Sequence, residues 1–371
     1  LGYPRRVSAL VSRLCASLAM VLTAAVPAAT LGCRGVRQAP AVEEDDETPA
    51  PSGGQSPGGA PLPGAPAGPG LPEPETGPRP SAFVPRYYVS PQGSDESGVC
   101  SQREPCREIA RVLPLLTSAG GHIVVEDGTY QAFAVTNYRG TDAAPLIVRA
   151  AGKATLTPTA ELPDGITVSR SRFVYLEGFA IDGAPRSGLS VEGGAFVTAR
   201  RLSVTASARS AVRAVFVDDL RVEYSELAGS KQSSGLVVEG SADRAVIRYN
   251  RVHGCAVSGI QVEANDELQD ATGLYGGERD GLSTGLTIEA NVVYGNGANG
   301  GAAINLDGVQ SSLVANNVLY DNRASGIAAS GDADGIPGDG VAGGVEYDGT
   351  GRAGPQGLRI LHNSVVMPPT S

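Results

Sequence analysis

The feature that most constrains this chain is a repeat period. Ile166, Leu189, Val212, Leu236, Ile260, Ile304 and Ile327 open similar short apolar segments, at spacings of 23, 23, 24, 24, 44 and 23 residues. A second register, Leu176, Ala199, Val222, Ile247, Ile288, Val314 and Ile360, keeps the same phase. Five residues after each of these stand Ile181, Val204, Leu227, Val252, Val293, Leu319 and Val365. A unit this short cannot bury its own apolar face, whereas stacked units share one continuous core. The predicted fold class is therefore all-β: a right-handed parallel β-helix solenoid over about residues 120 to 367, its hand set by the preference of parallel crossovers. Leucine-rich repeats share the length, but their leucine spacing and asparagine frame are absent. Asn250, Asn291, Asn317 and Asn363 occupy one equivalent place, where stacked side chains could hydrogen-bond from coil to coil. Ile109, Val112, Leu113 and Leu116 mark one face of a short helix, read as an N-terminal cap on the open end of the stack.

Composition agrees with many short strands. The 50 glycines and 26 prolines, with 2 methionines, no tryptophan and only Lys153 and Lys231 among 29 basic residues, leave few strong helix formers. A charged fraction of 18% excludes a multi-span membrane protein, and a net charge of −10 argues against a nucleic-acid partner. A monomer is expected.

Three segments are expected. Residues 1–33 read as a signal peptide: Arg5, Arg6 and Arg13 precede an apolar run from Leu14 to Leu31. The run ends Ala29-Thr30-Leu31-Gly32-Cys33, which resembles a bacterial lipoprotein signal with Cys33 as the lipidated residue, although Thr30 stands where that signal prefers leucine. Cleavage nearer Ala28-Ala29 and an uncleaved anchor remain as alternatives. Residues 34–82, an acidic knot followed by a Pro/Gly/Ala/Ser stretch, have almost nothing to bury and read as a disordered tether. Residues 83–371 form the β-helix, breaking off in mid-repeat at Ser371, so further coils are an open alternative. The expected location is the outer membrane or cell surface, or alternatively the secreted fraction.

Cys100 and Cys106 are spaced for a local disulfide in an exported protein, leaving Cys255 as a small buried thiol. With three histidines and no CxxC or HExxH, no zinc site is expected.

The segments YYVSPQGSD (Tyr87 to Asp95), Cys-x5-Cys, HIVVEDGTY (His122 to Tyr130) and TIEANVVYGNG (Thr287 to Gly297) resemble secreted bacterial right-handed parallel β-helix proteins of the pectate-lyase-like superfamily, over about residues 86 to 367. The resemblance implies the fold and a polysaccharide partner. It does not imply one reaction, because the superfamily holds lyases, hydrolases, epimerases and non-catalytic binding or scaffold proteins. Its specific signatures do not carry over. Neither lysine lies on the opening-strand face, so the lyase base has no lysine candidate. Asp218-Asp219 lacks an accompanying NTD, His253-Gly254 lacks a preceding glycine, Arg359-Ile360-Leu361 lacks a final lysine, and no Asp-Pro-His-Asp run occurs.

The candidate site is read from strand alternation. In each opening segment the anchor and the second residue after it point inward, so the first and third after it face out. The third position carries Glu239, Glu263 and Asp307 in consecutive coils; the first carries Arg213, Gln261 and Asn305. Carboxylates stacked about 4.8 Å apart repel unless a cation, such as Ca²⁺, or a shared proton intervenes. Two long insertions leave beside this column, 264–287 and 331–359. The first adds Tyr275 and Arg279 as candidate substrate contacts, and the second adds Asp332, Asp334 and Asp339 as a candidate Ca²⁺ site. Glu239, Glu263, Asp307 and Arg213 are the candidate catalytic residues, and Gln261 and Asn305 candidate substrate ligands. A solvated acidic face is the plain alternative. Functionally, the chain reads as a protein that binds or processes a polysaccharide, an anionic one among the options, and as a lyase or hydrolase if an enzyme. The alternative is a non-catalytic structural or adhesive repeat protein.

Overall fold

The computed structural model describes residues 84–96, 98–117, 120–263, 282–330 and 355–367, all within one compact unit, Ala65–Ser371. The signal segment with Cys33 and the 34–82 tether lie outside the described residues, as do Tyr275, Arg279, Asp332, Asp334 and Asp339.

The architecture is a parallel β-solenoid of about eight turns with one short helix. All three apolar registers pair as their spacing predicts. Ile166 lies beside Leu189, which lies beside Val212, and the series continues through Leu236, Ile260, Ile304 and Ile327. The 44-residue step from Ile260 to Ile304 is crossed without loss of phase, since Val262 still pairs with Leu306. The anchors Ile166, Leu176, Leu189, Leu236 and Ile260 are fully buried. Burying such a side chain is worth about 1.5–3 kcal/mol against leaving it in water, so the stack of coils supplies the core that no single coil has.

The start of the solenoid differs from expectation. Its first paired strand is Arg86–Val89, which lies parallel to Gly121–Val125. The helix Ile109–Val112 follows this strand and precedes Gly121–Val125, near the start of the described residues as expected. A four-residue strand just after Pro85 is too short to register as a period, which is why the sequence pattern starts later. Ile109 and Val112 pack into the core beside Val89, Ile123 and Val125. Cys100 and Cys106 are disulfide-bonded between that strand and the helix, and Cys255 is a buried free thiol.

Coils turn through left-handed backbone. One column of turn residues, Gly178, Arg201, Tyr224, Tyr249, Ala290, Asn316 and His362, has φ between 50° and 87° throughout. For a non-glycine residue this conformation costs about 1–2 kcal/mol. Ladder bonds such as Asn316 N–H to Leu361 O, 3.1 Å, are made there in return. Immediately after this turn runs the asparagine ladder. The backbone N–H and the Nδ2 of Asn250 both donate to Asn291 Oδ1, each at 3.0 Å. Asn291 bonds Asn317 in the same way, and Asn317 bonds Asn363. A shorter ladder that the repeat reading missed joins Asn296 to Asn322. Where the chain enters an opening strand the coils approach closely. A Cβ on Gly188 would sit 2.2 Å from Val204 Cγ1 and 2.8 Å from Ala211 O, so only glycine fits.

The outward face of the second strands carries a charge ladder. Arg149, Glu177, Arg200, Glu223, Arg248 and Glu289 are register neighbours in successive coils, alternating in sign. Arg149 Nε bonds Glu177 at 2.7 Å and Arg248 Nε bonds Glu223 at 2.9 Å. Arg200 donates to Tyr175 Oη at 3.3 Å, and that hydroxyl donates to Glu177 at 3.2 Å.

Candidate functional site

The opening strands Leu236–Glu239, Ile260–Glu263 and Ala302–Asp307 are held in parallel register by their buried anchors. That register fixes the outward residues. Glu239 is the neighbour of Glu263, and Glu263 of Asp307, with Ser330 next in line. Gln261 and Asn305 are neighbours in the adjacent outward column. The acid column predicted by alternation is therefore assembled, with its backbone positions about 4.8 Å apart.

Each carboxylate has protein donors. Arg213 Nη2 lies 2.5 Å from Glu239 Oε2 and its Nε donates to Oε1 at 3.4 Å. The same guanidinium reaches 3.8 Å to Glu192 Oε1 on its other side. Glu192 is thus linked to the column through Arg213, although Val215 separates it from Glu239 along the strand register. Gln261 Nε2 donates to Glu263 at 3.2 Å, and Gln261 Oε1 accepts from Ser234 Oγ at 2.6 Å, which fixes the amide. Asn305 Nδ2 donates to Asp307 at 3.1 Å, and the Ser330 hydroxyl also donates to Asp307. These donors offset part of the charge of the column, and among the described residues no group of three or more His, Cys, Asp or Glu is placed to hold a metal ion. Arg213 and Glu239 are part-exposed, 28% and 20% for their side chains, so both are open to a ligand.

The insertion after Glu263 is shorter than its sequence span. Ser283–Thr284 pairs with Val309–Gln310, and Thr284 bonds the carboxylate of Asp243 at 2.7 Å. Residues 282–287 therefore belong to the coil, and residues 264–281 lie outside the described residues. His253 and Tyr249 stay outside the site. His253 stacks on Tyr294 at 4.6 Å and meets Glu226 at 3.0 Å, and Tyr249 stacks on Tyr224 at 4.9 Å. Tyr294 stacks in turn on Tyr320. These rings turn their faces to one another along the coil axis, a packing role.

Alternation on the opening strand missed the residues of the second-strand face. Their signal was present: the residue directly after each of the first five second-register anchors reads Glu177, Arg200, Glu223, Arg248, Glu289.

Chemically, the opening-strand face offers a row of fixed hydrogen-bond acceptors, Glu239, Glu263 and Asp307, beside amide groups and one guanidinium. Such a row suits an extended, hydroxyl-rich ligand. Adjacent carboxylates at coil spacing also fall near the separation of about 5–5.5 Å that retaining glycosidases use.

No protein-family model matches this chain, and no curated protein matches it. Solved structures do. Pectate lyase Pel9A is 15% identical, with a TM-score of 0.50 over 78% of this chain and 79% of that one. An alginate lyase from Paenibacillus sp. str. FPU-7 is 16% identical, with a TM-score of 0.50 over 76% of this chain and 97% of that one. At this identity the likeness is one of fold, a pectate-lyase-like parallel β-helix.

Proposed function

We propose that this protein binds or processes a polysaccharide along the outward face of its opening strands. Glu239, Glu263 and Asp307 serve as acceptors, and as acid or base if a bond is cleaved. Arg213, Gln261 and Asn305 orient the chain of sugars. One observation carries the reading. On the second-strand face the protein stacks charges in alternating sign, so that the row is balanced within itself. On the opening-strand face three consecutive coils present acids, an arrangement that costs mutual repulsion. The fold neighbours described above, a pectate lyase and an alginate lyase, agree with a polysaccharide ligand.

A non-catalytic, adhesive role is the second reading. It is favoured by Arg213, the basic residue of that face among the described residues, being engaged by two carboxylates. In either case we propose an exported protein, tethered through Cys33 by residues 34–82 or secreted, a reading supported by the arginines and apolar run that precede Cys33.

Turnover and binding on a polysaccharide panel, with and without EDTA, test both readings. Glu263→Gln should weaken glycan binding at least tenfold, and Arg213→Gln should do the same. Product release abolished by Glu263→Gln makes the protein an enzyme. Unchanged binding in both variants overturns the proposal. A loss in EDTA assigns a role to Ca²⁺, for which Asp332, Asp334 and Asp339 are the candidate ligands.

A further inference from the structure

We infer that the second-strand face around Arg200 is an anion-binding surface for an acidic glycan, with carboxylate or sulfate groups held by Arg201 and Arg221. The inference rests on the polysaccharide reading above and assigns the charge class of the ligand to a different face.

The charge ladder is balanced by itself: Arg149, Arg200 and Arg248 match Glu177, Glu223 and Glu289. Arg201 and Arg221 are additional. Arg201 Nη1 lies 3.3 Å from Glu177 Oε1, while Arg149 and Tyr175 bond Oε2 of the same carboxylate, so one glutamate is shared by two arginines. Arg221 Nη1 stands 3.9 Å from Glu223, whose closer partner is Arg248. Both surplus guanidinium groups are about half exposed, 53% and 51% for their side chains. Between them lies Arg200, only 4% exposed, and its Nε has no hydrogen-bond partner, the nearest carboxylate oxygen being 3.9 Å away on Glu223. A buried guanidinium N–H left unpaired is unusual because its desolvation is not repaid. The face therefore holds two net positive charges and an unmet donor, on a chain whose overall charge is −10.

Arginine matches carboxylate and sulfate oxygens through its planar fork of donors. Arg201 and Arg221 lie one coil apart and three residues apart along the strand direction, about 11 Å between backbone positions. That spacing suits a polymer with anionic groups at intervals better than a single small anion. The acid column on the opening strands would repel the same polymer, so acidic groups are received on one face and hydroxyl-rich segments on the other.

The test is calorimetric titration of the full chain with an oligogalacturonate, a chondroitin sulfate oligomer, a neutral cello-oligosaccharide and single-stranded DNA. The wild type should bind at least one of the two acidic glycans, more weakly as salt rises. The double variant Arg201→Gln/Arg221→Gln should lose at least tenfold in that affinity while its unfolding midpoint and its binding of neutral glycan stay unchanged. The carboxylate and sulfate arms identify the anion. Acidic-glycan binding that survives the double substitution, no binding of either acidic glycan by the wild type, or equally tight binding of DNA would each overturn the inference. Failure of Glu263→Gln to alter neutral-glycan binding would sink only the opening-strand reading.

Discussion

At the scale of single residues, two side chains buried by the solenoid set testable energies. Asn291 is fully buried; its Nδ2 donates to Ile247 O at 2.9 Å and to Asn317 Oδ1 at 3.0 Å, and its Oδ1 accepts from Asn250. Asn291→Ala leaves several of those groups unpaired, and at about 1–3 kcal/mol for an unsatisfied buried group should destabilise by about 3 kcal/mol or more in urea unfolding. His122, 6% exposed with both ring nitrogens unpartnered, is held neutral by burial first and then by Arg149 and Arg86, which bring its pKa down to about 4 from 6.5. The unfolded chain binds that proton more readily, so the stability is present above pH 6.5 and is lost as the pH falls to 4, on the order of 3 kcal/mol. His122→Phe should therefore flatten the acid limb of a stability-versus-pH curve, and an unchanged limb would show that other groups set it. The asparagine ladder was legible because equal side chains recur at equal intervals. His122 was not, because nothing in its own sequence neighbourhood tells that Arg86 and Arg149 flank it.

At the scale of strands and turns, inward positions were readable and the outward ones only in part. Anchors such as Leu236 and Ile260 recur in kind, so their register follows from spacing alone. Outward residues vary from coil to coil, and their meaning lies in the neighbour above and below. Glu192 shows this: Val215 separates it from Glu239 in the column, yet Arg213 spans to both from the adjacent one. Glu192→Gln should thus free Arg213 for Glu239 and for ligand, and is expected to change glycan affinity measurably in the titration used for Glu263→Gln. Close coil approach gives a second prediction. Gly188→Val forces a side chain against Val204 and the Ala211 carbonyl, and overpacking of this kind costs about 1–3 kcal/mol or more. A midpoint within experimental error of the wild type would show that the coils can part there.

For the molecule as a whole, the solenoid is a one-dimensional stack in which each coil meets mainly its two neighbours. Its fold was fully legible from the period, whereas its first strand at Arg86 and the place of Ser283–Thr284 within a coil required the pairing itself. Such a stack has a hazard: coils of nearly equal length and equal anchors can close up with one coil left out. The apolar registers and the asparagines are blind to this error, since any coil offers the same partners. The alternating row Arg149, Glu177, Arg200, Glu223, Arg248, Glu289 is not blind. Omit one coil and arginine meets arginine, or glutamate meets glutamate, so the row acts as a parity bit that marks odd and even coils. Glu223→Arg erases that mark at three successive coils and should lower refolding yield at low salt, with recovery as salt screens the repulsion; a yield insensitive to both would deny the row this role. Two coils lost together would restore the alternation and escape detection, which makes the pair of coils, rather than the single repeat, the smallest unit by which such a row could shorten or lengthen unnoticed.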